Sequence, residues 1–134
     1  MVLLVQYTLI FASVLALVAL GGCFSEHSGV INIGLEGIMV MGALGGALAM
    51  KFLPATTSGI VLFILIVLAS VLVGMAFSLL LGFAAIHFNA DQTLVGTALN
   101  LMGTAAAVVI VRAINVAENP DNVSSTVVYR QAKQ

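Results

Sequence analysis

The chain has 134 residues, of which 62% are hydrophobic and 7% charged; four Lys or Arg stand against five Asp or Glu, for a net charge of −1. A soluble globular domain carries about 25% charged residues, so this composition excludes an ordinary soluble enzyme, and its hydrophobicity excludes intrinsic disorder. Lys51, Arg112, Arg130 and Lys133 are too few to build a nucleic-acid-binding surface. Cys23 stands alone and there are two histidines, which excludes an internal disulfide framework and gives no ligand set for a metal cofactor. A polytopic membrane protein remains.

Uncharged runs set the order of elements. Val2 to Phe24 carries no charge and few polar side chains (Gln6, Thr8, Ser13), enough to cross a hydrocarbon core of about 30 Å; a helix is predicted over 2–22. Glu26, His27 and Ser28 break the run. A second helix is predicted over 31–50, with Asn32 and Glu36 near its start. Lys51, Pro54 and the cluster Thr56-Thr57-Ser58 read as a loop. Phe52 to Ala90 is free of charge, and its helical part is predicted over 59–87. A straight helix of that length is about 43 Å long, so it must tilt, bend near Gly74 or Gly82, or project from the bilayer. Asn89, Ala90 and Asp91 form the next break, and a fourth helix is predicted over 94–111, closed by Arg112. The fold class is all-α, with residues 1–112 as the membrane region and 113–134 as a polar, exposed tail in which Asn119-Pro120-Asp121-Asn122 is a turn signal. The runs are too long for globular strands and lack the alternation of a membrane barrel.

Small residues bear on packing. Ser70, Gly74, Ser78 and Gly82 recur every four residues down the third run, and Gly42 and Gly46 pair on the second. Lipid tails are as apolar as leucine, so membrane helices associate where small residues let backbones approach. The stripe is either an ordinary packing surface or a sliding one. Leu20-Gly21-Gly22-Cys23 looks like a lipoprotein cleavage site, but Met1 to Gln6 has no basic residue to form the n-region of a signal peptide. Cys23 is read as a small apolar residue at a helix end.

Polar side chains within the runs are the candidates for function. An ionisable residue at membrane depth costs about 2.5–3.5 kcal/mol on insertion scales. Glu36, flanked by Gly34 and Gly37, is either a pathway or gating residue at a broken helix or a hydrogen-bonding clamp to a neighbour. Asn32, four residues earlier, is expected on the same helical face. Asp91 is expected to cap the fourth helix. Asn100 lies deeper and must find a partner or line a wet cavity. No phosphate-binding loop and no nucleophile arrangement is present in the sequence.

Two stretches carry a resemblance. Residues 25–37, Ser-Glu-His-Ser-Gly-Val-Ile-Asn-Ile-Gly-Leu-Glu-Gly, and residues 89–101, Asn-Ala-Asp-Gln-Thr-Leu-Val-Gly-Thr-Ala-Leu-Asn-Leu, resemble two signatures of bacterial ABC importer permeases of the nucleoside and simple-sugar type. These belong with the ribose and branched-chain amino acid permeases. The spacing between the stretches is also similar, and the resemblance extends from about Leu15 to Arg112. His27 and Asn89 depart from it, since relatives often carry basic residues there. Such permeases are around twice this size or more, so the chain looks like the N-terminal part of a truncated or split permease.

The resemblance implies ATP-driven uptake of nucleosides or simple sugars across the bacterial cytoplasmic membrane. It implies a multi-pass permease without ATPase activity of its own, and as partners a separate ATPase subunit, a second permease subunit and an extracytoplasmic binding protein. Asn32, Glu36 and Asn100 are the candidate pathway or gating residues. Two other classes stay open: a self-contained four-helix exporter of the small multidrug type, which would want an acid in the first helix and a Trp, and a non-transporting membrane assembly protein. The positive-inside rule places the N-terminus, the Lys51 loop and the tail in the cytoplasm, whereas the basic loops of relatives at the positions of His27 and Asn89 pull the other way.

Overall fold

A computed structural model describes residues 1–29, 31–54 and 58–127. Thr56, Thr57, Arg130 and Lys133, used above, lie outside the described residues. The described chain forms four helices, α1 (Val2–His27), α2 (Leu35–Phe52), α3 (Gly59–His87) and α4 (Gln92–Glu118). All four are long and apolar enough to cross a membrane, and the fold is all-α.

The third helix has the predicted limits; the other three differ for local reasons. α1 runs on to His27, because Glu26 and His27 interrupt hydropathy without interrupting helical geometry. It stops where Gly29 takes φ +83°, a conformation that glycine adopts without penalty. α2 starts at Leu35, not at residue 31, so Asn32 lies ahead of the helix and shares no helical face with Glu36. α4 starts at Gln92 and continues past Arg112 to Glu118, so residues 113–118 are helical and not part of an irregular tail. It ends at Asn119, φ −150° and ψ 108°, since the residue before Pro120 is pushed out of the helical region.

α2 is central. It packs antiparallel to α3 and parallel to α4. Leu81, Phe77 and Leu99 form the buried cluster between the helices, with Ile38, Met41 and Val95 against it. α1 has no buried residue. It approaches α2 at Gly22, where a Cβ would stand 3.0 Å from Leu35 Cδ1. The α3–α4 reversal is tight: Asn89 takes φ 47°, in the left-handed region where asparagine is enriched, and the Ala90 N–H donates to Ala84 O at 3.3 Å.

Candidate functional site

A continuous α2 would need the Gly37 N–H to donate to the Ile33 carbonyl four residues back. The structure breaks that bond and puts one side chain into the gap. Asn100 Oδ1 accepts from Gly37 N at 2.7 Å, and Asn100 Nδ2 donates to Ile33 O at 2.9 Å. A carboxamide can do both because it carries an acceptor and a donor side by side. Non-helical backbone within a bilayer is tolerated only where protein satisfies its polar groups, and α4 supplies partners for the Gly37 N–H and the Ile33 carbonyl. A second stitch joins the same segments: Ile31 N–H donates to Gln92 Oε1 at 2.8 Å.

Glycines let the backbones come this close. A Cβ on Gly37 would lie 2.6 Å from Leu99 O, one on Gly96 2.9 Å from Gly34 N, and one on Gly103 2.9 Å from Gly37 O. The two sequence stretches that resemble permease signatures are therefore in direct contact, residues 31–37 against residues 92–100, and the contact continues to Gly103. Asn32 sits at this seam with its Oδ1 buried and without a hydrogen-bond partner. Glu36, in the first turn of α2, is exposed. Asp91 Oδ1 accepts from Thr93 N at 2.8 Å and Leu94 N at 3.3 Å, so its carboxylate caps α4.

The α2–α3 contact uses only part of the four-residue stripe. Gly42 faces Ser70 O, Gly74 lies against Gly42 and Ile38, and Gly46 meets the Ser70 hydroxyl and Ile66. Gly82 departs from the expected role, because a Cβ there would meet nothing within 4 Å. Ser78 donates to its own helix at Met75 O, 2.9 Å. Towards the C-terminal end of α3 the contact is made by larger side chains, Phe77 and Leu81, with Ile38 and Met41 of α2 packed against their cluster.

At the opposite end of α2, Lys51 is buried at 3% exposure in the last turn of the helix rather than in a loop. Its Nζ pairs with Glu118 Oε2 at 3.0 Å and donates to Asn115 Oδ1 at 3.4 Å. Asn115 is 1% exposed and donates to Ser124 O at 3.0 Å and Thr126 O at 2.9 Å. The segment after Pro120 is thereby folded back onto α4. Sequence reasoning missed this cluster. Glu118 lies six residues past Arg112, which closes the fourth apolar run, so the acid stands outside the predicted helix and only the basic end of α2 is visible in the sequence.

Residues 4–130 match the family described as branched-chain amino acid transport system / permease component. The chain belongs to this permease family. The guanosine ABC transporter permease protein NupQ of Bacillus subtilis is 44% identical over 112 residues, covering 84% of this chain and 35% of the relative. The nucleoside ABC transporter permease protein NupC of Lactococcus lactis is 36% identical over 110 residues, 82% of this chain and 34% of the relative. A relative from Haloferax volcanii, 37% identical over 101 residues, carries a provisional glucose-permease name. The permease chain spans about a third of the length of the curated relatives it matches. No solved structure matches it. The matched region of this permease contains both the Asn100 seam and the Lys51 cluster.

Proposed function

We propose that the chain is the membrane-spanning permease component of an ATP-driven importer of nucleosides in the bacterial cytoplasmic membrane. The observation that carries this reading is the 44% identity to a guanosine permease over 112 residues, a stretch long enough to take in the two contacting segments at the α2–α4 seam. In this reading an extracytoplasmic binding protein delivers the solute, a second permease subunit completes the path, and a separate ATPase drives the cycle, with no ATP chemistry in this chain. Relatives are more than twice as long, so further permease helices complete the bundle. Glu36 faces the path. Asn32 and Asn100 act at its wall, Asn100 holding the break in α2 open and Asn32 offering an uncommitted oxygen beside it. The Lys51 end faces the cytoplasm.

Reconstitution in liposomes tests this. Labelled guanosine should accumulate only when the binding protein, the ATPase and the remaining permease helices are present with ATP. Concentrative uptake by the isolated chain would overturn the reading in favour of a self-contained carrier.

A further inference from the structure

One polar face of the described bundle is not explained by packing. On α2, Gly37 is turned to α4, while Ile38 and Gly45 are turned to α3. At about 100° per residue, Glu36 lies on the flank of α2 away from α3. On α4, Leu99 points to the α3 side and Gly96 and Gly103 to α2. The same rotation puts Thr97 and Thr104 on the flank beyond α2, again away from α3. Asn100 lies between these threonines and reaches Gly37, the residue next to Glu36. Glu36, Thr97 and Thr104 are all exposed, and Thr104 is near the midpoint of α4. Exposed polar groups at that depth are costly against lipid.

The chemistry of this face is one-sided. The Thr97 hydroxyl donates to Thr93 O at 3.0 Å or Leu94 O at 2.9 Å, and the Thr104 hydroxyl to Asn100 O or Leu101 O, both at 3.0 Å. A hydroxyl has one proton and two lone pairs, so with the proton engaged inside the helix each threonine presents only acceptors outward. An ionised carboxylate is also acceptor-only. No described basic side chain serves the face. Lys51 is paired with Glu118 at the other end of α2, and Arg112 lies about two turns beyond Thr104.

Resting on the importer reading above, we infer that Glu36, Thr97 and Thr104 line the solute path as an acceptor face that selects neutral, hydrogen-bond-donating solutes and rejects phosphorylated ones. The hydroxyls of a ribose and the N–H groups of a base supply the donors that this face lacks. A phosphate supplies further acceptors and negative charge, and it meets a carboxylate with no cation to offset it. The face therefore distinguishes a nucleoside from its nucleotide.

The test is cysteine reactivity in the complete importer, reconstituted with the Cys23→Ala permease. Thr97→Cys, Thr104→Cys and Met102→Cys are each treated with a membrane-impermeant, water-soluble thiol reagent, Met102 being exposed on the flank turned away from the threonines, among Ala98, Ala105 and Ala106. The expected result is modification of Thr97→Cys and Thr104→Cys at least tenfold faster than Met102→Cys. Guanosine should slow it several-fold, and guanosine monophosphate at equal concentration should not. Equal rates at the three positions, or equal protection by the two ligands, overturns the inference. Thr104→Val keeps the shape and removes the acceptor; it should raise the KM for guanosine several-fold, and an unchanged KM also overturns the inference. Guanosine uptake by the Cys23→Ala permease in the same liposomes reports separately on the importer reading, since labelling and protection do not require turnover.

Discussion

The side chain of Asn100 stands in for a backbone hydrogen bond that Gly37 has lost. It receives the Gly37 N–H at 2.7 Å and returns a donor to the carbonyl that would have taken it. The start of α2 is thus set by a residue on another helix. Asn100→Ala leaves both backbone groups unpaired, at a cost of about 1–2 kcal/mol by the worth of interhelical hydrogen bonds in membranes. In nanodiscs the Gly37 amide should exchange slowly in the parent chain and rapidly in Asn100→Ala. Unchanged exchange would show that the carboxamide does not hold this amide.

The glycines predict a graded series. Gly37→Ala drives a Cβ to 2.6 Å from Leu99 O, a backbone atom that cannot swing aside, whereas Gly74→Ala brings it to 3.8 Å from Gly42 Cα, ordinary contact. Gly82→Ala meets nothing and gains about 1 kcal/mol of helix propensity. Folded yield in detergent should fall sharply for Gly37→Ala, change little for Gly74→Ala, and hold or rise for Gly82→Ala. Gly74→Leu, which must push Gly42 and Ile38 away, should fall below Leu72→Phe. Equal yields for Gly37→Ala and Gly82→Ala would sink the seam as a close contact.

Lys51 and Glu118 form an asymmetric pair, with the lysine side chain 2% exposed and the glutamate 48%. Solvent screening at Glu118 weakens the pair, yet its loss strands a buried cation. Glu118→Gln should lower stability by on the order of 1–2 kcal/mol, and Lys51→Met added to it should recover part of the loss. A double-mutant cycle read by chemical unfolding checks this; strict additivity would mean that the two side chains are not coupled.

The proposed orientation is open to direct test. If Lys51 and Arg112 lie towards the cytoplasm, the α1–α2 connection faces outward. Ser28→Cys in a Cys23→Ala background should react with an impermeant thiol reagent added outside intact cells. Reaction only after the cells are opened would reverse the assignment.

Much of the fold was legible because hydropathy and length decide it. The uncharged stretch from Phe52 to Ala90 gives α3 its limits without help from any neighbour. The start of α2 was not legible, since a pattern of apolar residues from Ile31 onward reads as helix whatever Asn100 does. Asp91 is readable because a cap acts on its own helix two and three residues on. Lys51 was not, because charge in a sequence signals an exit from the membrane, while here Glu118 and Asn115 come from another helix to receive it. The polar flank of Thr97 and Thr104 was visible in part as polar residues. Its direction needed the glycines Gly96 and Gly103, which show where α2 lies.

The short, interrupted second helix also sets a length. The 18 residues of α2 cover about 27 Å, while the 27 residues of α4 cover about 40 Å. Yet the two are fastened near both ends, Ile31 to Gln92 and Lys51 to Asn115. Unwound chain makes up the difference, because an unwound residue advances up to about 3.3 Å against 1.5 Å for a helical one. The break ahead of Leu35 therefore works as a vernier: each residue that leaves the helix lengthens the strut by up to about 1.8 Å, letting two unequal helices span the same slab.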